Sequence, residues 1–117
     1  MTLPLSPAIL AASYDFLKTT APFKRWKLPS SDDVEFRVKE FQDRRGECTL
    51  HKDGHFSIAV NPGWVGHTVN LIRTMAHEMI HIHIDMMDDV DEEDHGPVFM
   101  RLAARVCKLH GFDPKGF

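Results

Sequence analysis

From Thr68 to about Asp85 the chain carries an unbroken helical pattern whose apolar residues run around most of the circumference: Val69, Leu71, Ile72, Met75, Ala76, Met79, Ile80 and Ile82. A helix that is apolar on nearly every side is a buried one, so the rest of the chain must be arranged around it. At 1.5 Å per residue it spans about 27 Å, close to the diameter of a small domain. Ionisable residues inside such a helix are costly to bury without a partner. His77, Glu78 and His81 are therefore the residues whose presence needs a reason.

The elements around this helix follow from local signals. Ser6 to Thr19 reads as a first helix, capped by Ser6, with Pro7 at its first position and an apolar stripe of Ile9, Leu10, Tyr14, Phe16 and Leu17. Pro22 and Pro29 bound an irregular stretch around Trp26. Val34 to Lys39 alternates apolar and charged residues with the period of a half-buried strand. Two further strand-like runs, Glu47 to Lys52 and His55 to Val60, flank Asp53-Gly54, a dipeptide that favours a two-residue type I′ hairpin turn. Asn61-Pro62-Gly63 ends the last strand. Pro97 opens a final helix that Gly111 terminates, with Phe99, Leu102, Ala103 and Val106 inward and Arg101, Arg105 and Lys108 outward. This order predicts a small α+β domain: an N-terminal helix, a three-stranded antiparallel meander, the buried helix and a C-terminal helix.

With 117 residues, 43% apolar and 26% charged, the chain has the size and usage of one globular domain, taken as residues 1–117. No run approaches the ~20 apolar residues of a membrane span, and the first residues lack a signal peptide's basic start. A cytoplasmic, intracellular protein is the expectation. Cys48 and Cys107, far apart and outside any C-x-x-C pattern, read as buried free thiols. The net charge of −3 gives no global reason to expect nucleic-acid binding, but the charge is uneven: residues 1–52 hold nine Lys/Arg against seven acids, whereas residues 85–94 hold seven acids and no Lys/Arg. Eight histidines in so short a chain point to metal chemistry.

His77-Glu78-Met79-Ile80-His81 is an H-E-x-x-H sequence. Residues four apart on a helix lie about 40° from one another, so both imidazoles reach one ion. Glu78 stands at the rim of that face, where its carboxylate can take a proton from a metal-activated water. Two imidazoles favour zinc over calcium or magnesium. Catalytic zinc takes three protein ligands. His83 lies about 200° from His81 on the helical wheel and does not join. Ile84 and Met87 stand where a metzincin would have its glycine and third histidine. His95, after thirteen intervening residues and directly before the last helix, is the best candidate for the third ligand.

The motif at 77–81, the thirteen-residue gap and then His95-Gly96-Pro97-Val98-Phe99 resemble the signature of the SprT-like zinc metallopeptidases, the family that includes Spartan. The resemblance is strongest over residues 68–112. It implies a zincin-like metalloendopeptidase with zinc on His77, His81 and His95, Glu78 as general base and Phe99 as a packing residue. It covers a protease core only: the cysteine zinc ribbon common in bacterial SprT proteins and the DNA-directed extensions of Spartan have no counterpart in these residues. Action on DNA-associated proteins, with a nucleoid location, is what the Spartan relationship would add.

Other readings stand beside this one. A catalytically silent, zinc-stabilised binding or regulatory module would keep the ligands, but structure alone does not need the base Glu78. A repressor-cleaving zincin of another family would take Asp85 or Glu92 as third ligand. The strand at 55–60 offers an edge for an extended peptide substrate. Tyr14, His67 and Arg73 are candidates for oxyanion assistance, though each has a structural reading. Lys18, Lys24, Arg25 and Lys27 around Trp26 form either a nucleic-acid contact or a solvated face about an anchoring tryptophan. The acidic run 85–94 reads as a solvated loop, and Trp64 as a cover for the core beside the metal helix. Oligomeric state is not written in the sequence.

Overall fold

The computed structural model describes residues 4–64, 67–87 and 94–117. The elements are α1 (Pro7–Lys18), short 3-10 turns at Phe23–Arg25 and Ser31–Asp33, β1 (Val34–Val38), β2 (Gly46–Leu50), β3 (Phe56–Val60), α2 (Thr68–Met87) and α3 (Pro97–His110). The helix ends follow local chemistry. Ser6 Oγ accepts from the Ile9 amide with Pro7 at the first helical position of α1, and Gly111 takes the left-handed conformation (φ 74°) that ends α3. Phe16, counted in the apolar stripe of α1, is instead 54% exposed, and Val69 at the start of α2 is exposed as well.

The sheet is mixed, which corrects the expected antiparallel meander. Its order is β1-β3-β2, with β1 parallel and β2 antiparallel to β3. The chain leaves β1, passes across the end of the sheet to the far edge as β2, and the hairpin then inserts β3 between its predecessors. Composition explains the choice. The central strand loses solvent on both edges, and β3 (Phe-Ser-Ile-Ala-Val) alone has no charged residue, whereas β1 carries Glu35 and Arg37 and β2 carries Glu47. It follows that β3 is not an edge, and the extended-substrate edge expected at 55–60 passes to β2.

The hairpin turn also differs from expectation. The Gly54 amide donates to the His51 carbonyl and the His51 amide to the His55 carbonyl, so Lys52, Asp53 and Gly54 form a three-residue loop. Only Gly54 has positive φ (93°), whereas a type I′ turn needs it at both central positions. A type I turn followed by a left-handed glycine satisfies the chain instead.

Alternation along the strands sends Phe36, Ile58 and Cys48, with Val34, Phe56, Val38, Val60 and Gly46, toward the helices. Glu35, Ser57 and Thr49 face the opposite side. The core joins Leu10, Tyr14 and Leu17 of α1, Ile58 and Val60 of β3, Met75, Met79, Ile80 and Ile82 of α2, and Phe99 and Val106 of α3. Asn61, 2% exposed, donates through Nδ2 to the carbonyls of Phe41 (2.7 Å) and Arg44 (3.0 Å) and accepts from the Gly63 amide. One side chain thereby holds the β1–β2 connection against the end of β3. Trp64 is 46% exposed and does not cover the core. No helix among the described residues is long and apolar enough to cross a membrane.

Candidate metal centre and its cleft

Helix α2 places His77 and His81 on one face, one turn apart, with ring centroids 5.2 Å from each other. The turn at Asp94-His95, just before α3, brings His95 to the same point, its ring 4.9 Å from that of His77 and 5.3 Å from that of His81. One nitrogen from each of the three lies within 4.8 Å of the other two. His77 Nε2 and His95 Nε2 stand 3.1 Å apart. Two nitrogens bound to one tetrahedral zinc at 2.0–2.1 Å are about 3.3 Å apart, so the pair is spaced for an ion with little adjustment. Phe99, on the first turn of α3, packs its ring against all three imidazoles.

Tautomer and charge agree with that spacing. His77 Nδ1 lies 2.8 Å from the Phe117 carbonyl, which can only accept, so Nδ1 carries the proton and Nε2 presents its lone pair to the site. Burial, followed by the nearby His81 and His95, pushes His77 down to about 4. Burial likewise lowers His81, against the raising effect of Asp94. Both are neutral imidazoles at physiological pH, the form that ligates metal. Asp94 lies 4.0 Å from His81 Nδ1 and 3.7 Å from His95 Nε2. As the last of seven acids it carries no distinctive signal in the sequence, yet it is the acid that the fold sets beside the imidazoles.

Glu78 is 5% exposed. Burial first, then Asp94 and Glu47, push its carboxyl up to about 8, with Arg44 opposing. Its immediate neighbour is the backbone of β2. A Cβ added to Gly46 would stand 3.1 Å from Glu78 Oε2, 3.0 Å from Thr74 Cγ2 and 3.0 Å from the Ala59 carbonyl oxygen. The missing side chain at 46 is thus what lets the edge strand close on the carboxylate.

Two cavities flank the three histidines. The larger, about 310 Å³, is polar and runs between Arg44, Gly46, Glu47 and Cys48 on the β2 side and Glu78, His81 and Asp85 on α2, with Asp94 at its margin. The smaller, about 150 Å³, is mostly apolar and is lined by His77, His95, Phe99, Met100, Ala103, Cys107 and Phe117, among others. Cys48 and Cys107 are free thiols, Cys107 buried and Cys48 partly so, and burial raises both above their usual range.

The remaining candidates are placed elsewhere. His83 turns away from the site and stacks on Trp26 at 4.0 Å, so the basic cluster around that tryptophan lies behind α2. Lys18 of that cluster donates to the Pro29 carbonyl (3.1 Å). Tyr14 is fully buried and donates to the same carbonyl at 2.7 Å, which removes it as an oxyanion donor. Arg73 donates to the carbonyls of Asp113 and Lys115, and His67 is exposed ahead of α2. Asp85 is on the last turns of α2 at the polar cavity, while Glu92 and most of the acidic run fall outside the described residues.

The fold and site together define an α+β protein whose buried helix presents an H-E-x-x-H face to a third histidine on the next helix's leading turn. The chain belongs to the SprT-like family, whose model matches residues 13–115. No curated protein matches it.

Proposed function

We propose that this protein is a zinc-dependent metalloendopeptidase built as one domain over residues 1–117, with His77, His81 and His95 as metal ligands and Glu78 as general base. The observation that carries the reading is the juxtaposition of three imidazoles with the buried Glu78 carboxyl, which lines the same cavity as His81. A module that kept zinc only for stability has no use for such a carboxyl, whereas a base beside the metal is what proton transfer from water needs. Three nitrogen ligands leave a position open, and zinc held there would polarise a peptide carbonyl and acidify water.

The chain's own residues supply the rest. Glu78 takes the proton from the attacking water and returns it to the leaving amine. The free edge of β2, lining the polar cavity beside Glu78, positions an extended substrate through backbone pairing. The apolar cavity on the other side of the histidines accepts an apolar side chain next to the scissile bond. The acids of the polar cavity disfavour a phosphate backbone in the cleft itself, so any DNA contact that directs the enzyme to DNA-associated proteins would fall on the basic face around Trp26.

The test is gel-based cleavage of casein and of a DNA-binding protein by zinc-loaded wild type and Glu78→Gln, each with and without single-stranded DNA. Cleavage by wild type alone is the expected result, and acceleration by DNA would extend the reading to DNA-associated substrates. Equal inactivity of both, with zinc bound, would favour the silent module.

A further inference from the structure

We infer that this protein carries a second transition-metal site, formed by Glu35, His51 and His55 on the face of the sheet turned away from the helices. The residues come from three places that only the strand order unites. Glu35 of β1 is in register with Ser57 of β3. His51 follows β2 and His55 precedes β3, at the two shoulders of the hairpin loop. One ligand atom from each lies within 4.8 Å of the other two, and all three residues are partly buried.

The contacts already made leave the right atoms free. His55 Nδ1 is paired with Asp53 Oδ1 at 2.5 Å, and the same oxygen accepts from the His55 amide. A carboxylate behind Nδ1 orients the ring with Nε2 outward, the arrangement that supports metal-bound histidines elsewhere. His51 Nε2 is held by the buried Ser57 hydroxyl at 2.8 Å, which leaves Nδ1. Arg37 engages Glu35 only through Oε2, which leaves Oε1. The two imidazoles are stacked, 4.2 Å apart and 7° from parallel, so the rings are adjacent but their in-plane lone pairs run side by side. Binding an ion asks one ring to turn out of the stack as the ligand atoms, now within 4.8 Å of one another, close to the ~3.3 Å separation of tetrahedral ligands.

Two imidazoles and one carboxylate select borderline divalent ions such as zinc, cobalt, nickel or copper over calcium and magnesium. An ion there joins β1 to both arms of the hairpin on the outer face, separate from His77, His81 and His95 on the helical side. It acts as a clip on the sheet and takes no part in peptide hydrolysis.

The experiment is equilibrium dialysis of the intact protein against micromolar zinc, followed by metal analysis. Wild type is compared with His51→Asn/His55→Asn and with His81→Gln/His95→Gln. Two equivalents in wild type and one in each double variant is the expected result. One equivalent in wild type, kept in His81→Gln/His95→Gln and lost in His51→Asn/His55→Asn, would uphold this site while failing the proposed catalytic one. A count unchanged by the 51/55 substitutions overturns the inference, as does a second equivalent that appears only at millimolar zinc. A wild-type measurement guards against a variant that misfolds: as copper(II) is raised from one to two equivalents the amide resonances of His51, His55 and Ser57 should broaden, and broadening that stays confined to the surroundings of His77 at two equivalents refutes the site.

Discussion

His77 donates from Nδ1 to the backbone carbonyl of Phe117 at 2.8 Å, across forty residues of sequence. The same segment is tied to the protein by Arg73, through the Asp113 and Lys115 carbonyls, and by Arg45, through the Gly116 carbonyl at 3.1 Å. Residues 113–117 therefore act as a strap that fixes the tautomer and ring angle of a proposed ligand. Outer contacts of this kind are worth about 10–100-fold in metal affinity. Deleting residues 112–117 should weaken zinc binding by that factor in a chelator competition, while Phe117→Gly, which keeps the carbonyl, should cost much less. Equal affinity for wild type and the deletion would refute the strap.

Gly46 should be a positioning residue for Glu78. In Gly46→Ala the new methyl group meets a backbone oxygen at 3.0 Å and the carboxylate at 3.1 Å, and the carbonyl cannot easily give way. Overpacking of this sort costs about 1–3 kcal/mol. The stability loss should be accompanied by a fall in kcat of at least about tenfold with metal content unchanged, since a small misplacement of a catalytic group is enough for that. A variant that melts lower but retains full kcat would assign Gly46 a packing role only.

The buried carboxyl of Glu78 makes a signed prediction for metal-free protein. Its folded value, about 8, lies above its ordinary value of 4.5, so the fold favours the protonated form. That contribution is complete below pH 4.5 and is lost as pH rises toward 8. His77, lowered from 6.5 to about 4, acts oppositely, because the unfolded chain takes up a proton first as pH falls below 6.5. Above pH 6.5 the histidine effect fades while the contribution of the carboxyl continues to fall toward pH 8, and comparison with a variant that lacks only this carboxyl isolates it. Urea unfolding of metal-free wild type should therefore lose stability relative to Glu78→Gln across that window, and parallel curves would contradict the burial argument.

Tyr14→Phe removes the hydrogen bond to the Pro29 carbonyl from a fully buried ring. A cost of about 1–2 kcal/mol at neutral pH is expected, and Lys18 retains its own bond to the same oxygen. Burial, with Asp15 next, raises the phenol above its ordinary value of 10.0. An acid raised in the fold destabilises it once the unfolded chain ionises, so wild type should lose ground to the variant as pH climbs past 10. Thermal melts from pH 7 to 11 would show the two curves converging.

His95→Ala separates the two candidate sources of the third ligand. Removing this imidazole should lower zinc affinity by about a hundredfold or more, whereas Asp85→Asn, which changes a residue exposed at the cavity edge, should leave it within about threefold. The reverse pattern, read by chelator competition, would hand the third position to the acid.

Much of the candidate site could be read from the sequence because its signals are local. Helix periodicity sets His77 and His81 on one face, and the cap and proline at 96–97 bring the next helix's start, with His95, to a turn. Glu78 is picked out by its motif. Residues whose role depends on what lies across from them could not be read this way. Gly46 looks like a turn glycine until β2 is laid on α2, Phe117 contributes a backbone carbonyl with no side-chain signature, and Asp94 is one acid among seven. Trp64 misled because an isolated tryptophan suggests burial, and nothing nearby in sequence reports that it is solvent-facing.

By itself, then, the sequence determined the identity and order of the elements, their caps and the helical face that carries the imidazoles, since these depend on contacts within a few residues. Only the tertiary structure decided the strand order, the parallel pairing of β1 with β3, the edge that borders the cleft and the meeting of Glu35 with His51 and His55. Alternation tells which face of a strand is buried, but every strand's backbone offers the same donors and acceptors along both edges. Which strands pair is settled by competition for the one position shielded on both edges, and the uncharged β3 takes it because burying Glu35, Arg37 or Glu47 there would cost more.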